Sequence, residues 1–271
     1  MSFMQIDLTS RYVGRTNVAV FYPTKAPSAE AKHGHPGAKP RPVIRLRPGE
    51  KYQALWLLHG SGGDFSHWLL NSMLMELAEK QQLAVVMPTV KDFIGGQPDL
   101  GDYFRYVSEE QPVLVRNILP ISMAQEDNFI CGLSYGGYLA WRVALTHPQT
   151  FSCAGSLSSP IDVLADIRDK HLGQYGYPLP EQVADTDRDL IHLVRKAVSE
   201  QTELPDLFQA CGTEDFTWEY NTAARDAVRA LGVKTAWVEF PGVHNFDFWN
   251  VAVRRFMDWL PLRGAPVEGK E

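Results

Sequence analysis

From residue 54 onward, short unbroken apolar runs alternate with longer stretches in which apolar residues recur every three or four positions. The runs fall at 54–58, 83–87, 128–131, 152–157, 206–211 and 235–240. Runs of this length without period-two alternation predict strands covered on both faces. Helical period predicts helices over 66–81, 102–119, 136–146, 187–200, 219–231 and 246–260. Strand–helix alternation of this kind predicts an α/β chain with a mostly parallel sheet and helices on both faces. An earlier β-rich run at 17–22 predicts a strand that closes at Pro23.

Two segments break the rhythm. Residues 24–50 hold five Pro, six Lys or Arg and few large apolar residues before Val43. They predict a basic, Pro-rich surface excursion with a strand at 43–46. His33 and His35 lie inside it, without Cys or carboxylate ligands close by, and read as a polar loop. Residues 158–186 are weaker in pattern and carry Pro160, Gly173, Gly176, Pro178 and Pro180. They predict a cap-like insertion over one end of the sheet, within a single domain spanning 1–271.

The most informative string is Gly132-Leu133-Ser134-Tyr135-Gly136-Gly137. It follows a predicted strand and opens a predicted helix, the context of a nucleophile elbow. The tight turn strains the backbone at Ser134, and glycines at 132 and 136 relieve the crowding. A serine hydroxyl is a weak nucleophile and needs a base, expected in the chain order Ser, acid, His. Glu214 and Asp215 follow a predicted strand, and His244 follows the last one through Pro241-Gly242. Asp215 is the first choice for the acid, with Glu214 and then Asp247 behind it. A second glycine-rich loop, His59-Gly60-Ser61-Gly62-Gly63-Asp64, directly follows the strand at 54–58. Its backbone N–H groups, at Ser61 or else Gly62, would join that of Tyr135 in holding an oxyanion; one such donor is typically worth about 2.7–4 kcal/mol. The loop lacks the Gly-Lys-Ser/Thr of a phosphate loop, and nucleotide binding is not expected.

Composition narrows the partners. Lys and Arg number 26 against 32 Asp and Glu, a net charge of −6, so a nucleic-acid partner is not expected. No apolar run reaches the roughly 18 residues of a membrane span. The start of the chain lacks the pattern of a signal peptide, and three Cys at 131, 153 and 211 sit in apolar runs. Reduced, buried thiols and a cytoplasmic setting are expected.

Four blocks together resemble the esterase D-like branch of the α/β-hydrolases, and within it the tributyrin-esterase group. They are Leu58–Asp64 with Trp68; Tyr106–Glu110 leading to Leu119-Pro120; Cys131–Tyr138; and Cys211–Phe216 with Pro241–Trp249. The resemblance spans about 10–260. It implies an α/β-hydrolase fold and a serine carboxylesterase for short acyl chains. It further implies Ser134 as nucleophile, Asp215 as acid, His244 as base, and the Ser61 and Tyr135 backbone as oxyanion hole. Neither metal nor organic cofactor is implied. The substrate is then a small-molecule ester, with acetyl or feruloyl carbohydrate esters as an alternative and acyl transfer as another. A non-catalytic binding protein on the same fold is the reading from a different class. Gly62, Trp68, Phe216 and Trp218 are candidate pocket residues, and a homo-oligomer is open.

Overall fold

The computed structural model describes residues 2–23, 49–170, 172–175 and 177–263. The excursion at 24–50, with its predicted strand at 43–46 and the His33–His35 pair, lies outside them apart from residues 49 and 50. Eight strands form one sheet: β1 (Ser2–Ser10), β2 (Gly14–Tyr22), β3 (Ala54–Leu58), β4 (Ala84–Pro88), β5 (Asn128–Leu133), β6 (Cys153–Leu157), β7 (Asp206–Gly212) and β8 (Thr235–Phe240). Their spatial order is β1-β2-β4-β3-β5-β6-β7-β8. The β1–β2 and β2–β4 pairs are antiparallel; every other pair is parallel.

The unbroken apolar runs are explained by the two faces of the sheet. Along β3, Ala54, Trp56 and Leu58 point into one hydrophobic core, and Leu55 and Leu57 into the other. The first core is completed by the helix Tyr135–Thr146, whose Tyr138, Leu139, Trp141 and Val143 are all buried. The second is completed by the helix Phe246–Trp259 through Phe248, Val253 and Phe256, with Phe208 and Phe256 rings 5.3 Å apart. A strand with solvent on one side would have required alternation; β3 to β7 are buried on both faces, while β8, at the sheet edge, is only half-buried.

β1 was not anticipated from the sequence. Its signal was present in period two, since Met4, Ile6 and Leu8 are half-buried between exposed neighbours. Predicted helix 66–81 is two helices, His67–Asn71 and Leu74–Gln81, because Ser72 leaves helical backbone (ψ 163) and its hydroxyl turns back to Trp68 O at 2.5 Å. Predicted helix 102–119 contains a π-turn at Tyr106–Glu110. That turn projects Glu109 and Glu110 onto the β1–β2 connection: Tyr12 Oη donates to Glu109 at 2.7 Å, and Arg11 N and Ser10 Oγ donate to Glu110.

After β6, residues 158–186 form the helices Val163–Asp169 and Pro180–Val183 with a 3-10 turn at Leu172–Tyr175. The segment leaves from the carboxyl end of β6, the end at which β5 delivers Ser134. Cys131, Cys153 and Cys211 are buried thiols, none of them in a disulfide.

Candidate active site

Ser134 sits between the end of β5 and the helix Tyr135–Thr146 with φ 52 and ψ −133, backbone angles that side-chain-bearing residues rarely adopt. The turn is tight enough to exclude side chains beside it. A Cβ at Gly132 would lie 2.3 Å from Gly136 C, and one at Gly136 would lie 2.2 Å from His59 O. The strained serine is pinned by its own N–H, which donates to Leu157 O at 2.8 Å.

Three loops at the carboxyl ends of β5, β7 and β8 bring the predicted residues together. His244 Nε2 lies 3.0 Å from Ser134 Oγ, and His244 Nδ1 lies 3.0 Å from both carboxylate oxygens of Asp215. Asp215 is buried and also accepts the Thr217 N–H at 2.8 Å and the Thr217 hydroxyl at 2.7 Å. Burial alone would raise the Asp215 pKa. Hydrogen bonds from His244 and Thr217, with the imidazole charge, outweigh it and hold the carboxyl below its usual range. Glu214 points elsewhere: its carboxylate accepts the Gly242 N–H at 2.5 Å, and its own N–H donates to Gly242 O at 3.1 Å. It ties down the loop that carries His244. Asp247 sits at the start of the last helix, where its N–H donates to Asn245 Oδ1 at 3.1 Å.

The loop after β3 packs against the elbow, since a Cβ at Gly60 would come within 2.9 Å of Ser134 Cβ. Beneath the loop, His59 is buried with both ring nitrogens committed. Nδ1–H donates to Gly60 O at 2.6 Å, and Nε2 accepts the Val90 N–H at 2.9 Å. Burial lowers its pKa to about 4, so the ring is neutral near pH 7. Trp68 is not a pocket wall. It is 1% exposed, and its indole N–H donates to Leu58 O at 3.0 Å, so it supports the same loop from below.

Phe216, 63% exposed, packs against His244 with ring centroids 4.3 Å apart and the rings tilted by 42°. Trp218 instead packs on Trp237 of β8 at 6.0 Å. Gly62 and Ser61 are exposed on the loop, and Tyr135 occupies the first helical turn, where backbone N–H groups have no partner inside the helix. Two residues that the sequence did not single out complete this side. The Tyr135 hydroxyl donates to Asp166, which is fully buried, and Lys170 Nζ pairs with Asp166 at 2.5 Å. The Lys170 ammonium also lies 5.2 Å from the Phe216 ring and 5.5 Å from the Tyr135 ring. No local pattern ties Asp166 to the elbow; Tyr135, its partner there, is 31 residues away.

A cavity of about 800 Å³ lies apart from these residues, lined by Tyr12, Tyr103, Phe104, Arg142, His147 and Arg188 among others. Among the described residues no cluster of His, Cys, Asp or Glu has the arrangement of a metal site, and no helix is long and apolar enough to cross a membrane.

Comparison with known proteins shows the family and the fold. The model of the family named Esterase, described as "Putative esterase", matches residues 39–257. The acetyl esterase of Caldicellulosiruptor saccharolyticus is 27% identical over 273 residues, covering 96% of this chain and 98% of its own. The S-formylglutathione hydrolase of Staphylococcus aureus superposes with a TM-score of 0.77 at 25% identity, covering 96% of this chain and 98% of its own. Fluorophosphonate-binding serine hydrolase F of the same organism gives 0.78 at 26% identity, with the same coverage. With the family model covering most of its length, the chain belongs to the Esterase family and is a serine ester hydrolase of the α/β-hydrolase fold.

Proposed function

We propose that the chain is a carboxylesterase for short acyl chains, working through Ser134, His244 and Asp215. The observation that carries this reading is the continuous chain Ser134 Oγ–His244–Asp215 at 3.0 Å per step, ending on a serine held at φ 52. His244 takes the proton from Ser134 as Oγ attacks the ester carbonyl. Asp215 fixes the imidazole tautomer, with Nδ1–H toward the carboxylate, and stabilises the imidazolium. The Ser61 and Tyr135 N–H groups receive the oxyanion. His244 then protonates the leaving alcohol, and water attacking the acyl-enzyme with the same base releases the acid and regenerates Ser134.

Tyr135, anchored on Asp166, and Phe216, lying on His244, flank the nucleophile on the side of the 158–186 segment, which we read as a cap within one domain. Such flanking favours a small acyl part, and the likeness to an acetyl esterase favours acetyl. We read the substrate as a small soluble ester and the setting as cytoplasmic.

The test is a p-nitrophenyl ester series of increasing acyl length, paired with labelling by a fluorophosphonate probe. Acetate and butyrate esters turn over fastest, the probe labels the protein, and Ser134→Ala abolishes both without lowering thermal stability. Turnover or labelling that survives Ser134→Ala refutes the assignment. Acyl transfer to added alcohol that outpaces release to water would instead make the enzyme a transferase.

A further inference from the structure

The acid of the site is itself held by a buried relay. Thr217, 1% exposed, closes a turn just ahead of the helix Trp218–Ala230 and gives Asp215 Oδ1 two hydrogen bonds, from N–H and from Oγ1–H. A hydroxyl has one hydrogen and can rotate, so its direction has to be set from outside. Asn221, fully buried one helical turn later, does this. Its Nδ2 donates to Thr217 O at 2.9 Å and to Thr217 Oγ1 at 3.2 Å. With its lone pair engaged by Asn221, the hydroxyl has its hydrogen free for Asp215 at 2.7 Å.

Resting on the reading of Ser134, His244 and Asp215 as the triad, we infer that Asn221 and Thr217 are positioning residues which extend it inward, orienting the Asp215 carboxylate and fixing it as an acceptor. The order of the chain is Asn221, Thr217, Asp215, His244, Ser134. A proton on Asp215 Oδ1 would face the Thr217 N–H, which cannot accept it, so this oxygen is kept as an ionised acceptor. The other titratable groups facing Asp215 are His244, from the loop after β8, and Cys211, at the end of β7. Burial pushes the Cys211 thiol up to about 12, so it stays neutral in the working range.

Removing the hydroxyl leaves the carboxylate with fewer donors, which makes it more basic and strengthens its hold on a protonated imidazole. Thr217→Val, which keeps the side-chain shape, is therefore expected to lower kcat about tenfold on p-nitrophenyl acetate, with KM within about twofold. It should also move the acid limb of kcat/KM to higher pH, and Thr217→Ser should restore both. Asn221→Leu, with the same branching and number of heavy atoms, should move the limb in the same direction by less, and serves if Thr217→Val does not fold. A kcat within twofold of the parent with an unmoved limb overturns the relay, as does a Thr217→Ser variant no better than Thr217→Val. Ser134→Ala, measured alongside, separates the two failures. Turnover that survives it removes the triad and the relay together, whereas lost turnover with an unaffected Thr217→Val removes the relay alone.

Discussion

His59 makes stability depend on pH in a window where most surface histidines would not. It is the last residue before the loop that packs on Ser134, and burial lowers its pKa from 6.5 to about 4. Its environment accepts only the neutral ring: Gly60 O takes the hydrogen on Nδ1, and the Val90 N–H already points at Nε2. A second ring proton would set two donors against each other. The unfolded chain, by contrast, protonates this imidazole near its ordinary value. Between those two values the unfolded state binds the proton and the native state does not, so stability rises with pH across the interval. The contribution is present in full above about pH 6.5 and is lost as pH falls toward 4. At about 1.36 kcal/mol per tenfold in proton affinity, it amounts to about 3 kcal/mol. Urea unfolding at pH steps from 7.5 to 4, for the parent and His59→Gln, isolates it, because the carboxylates and neighbouring His67 titrate in both proteins. The parent should lose about 3 kcal/mol more than the variant over the window. Parallel curves for the two proteins would refute the argument.

Further predictions concern the acids and the elbow. Asp215→Asn should lower kcat about 10³–10⁴-fold, since the amide can present a donor to His244 Nδ1 and favour the wrong tautomer. Glu214→Gln should stay within about threefold, because a carboxamide oxygen still accepts the Gly242 N–H. Steady-state kinetics on one p-nitrophenyl ester decides both, and a reversed order would make Glu214 the acid. Gly136→Ala drives a Cβ to 2.2 Å from the His59 carbonyl oxygen, a backbone atom with nowhere to move. A loss of about 3 kcal/mol, or roughly 6–12 °C in Tm, should follow, and calorimetry with an unshifted Tm would contradict the packing described.

Much of this protein was written into local pattern. Five parallel strands, β3 to β7, were legible because each is buried on both faces and is apolar almost throughout, and the half-buried edge strand β8 shared enough apolar residues to show as well; the six runs stand out within a residue or two of β3 to β8. Ser134 was legible because its strained turn requires small neighbours, and the chemistry requires an acid and a histidine later in the chain. What stayed hidden falls into two kinds. β1 pairs only at the sheet edge and is half-buried, so its alternation of Met4, Ile6 and Leu8 is faint beside the central runs.

The other kind depends on direction in space. Glu214 and Asp215 are adjacent, and composition cannot tell which carboxylate turns toward His244; the turn closed by Thr217 aims one at the imidazole and the other at Gly242. Trp68 neighbours the loop in sequence, yet its indole lies beneath that loop, bound to Leu58 O. Asp166 and Lys170 reach Tyr135 only because the helix Val163–Asp169, after β6, packs beside it. The sequence by itself determined which elements form and the kinds of residue the chemistry needs, since both follow from local sterics and burial period. The tertiary structure decided which of several equivalent side chains meet, because distances between loops on different strands depend on packing that no local window contains.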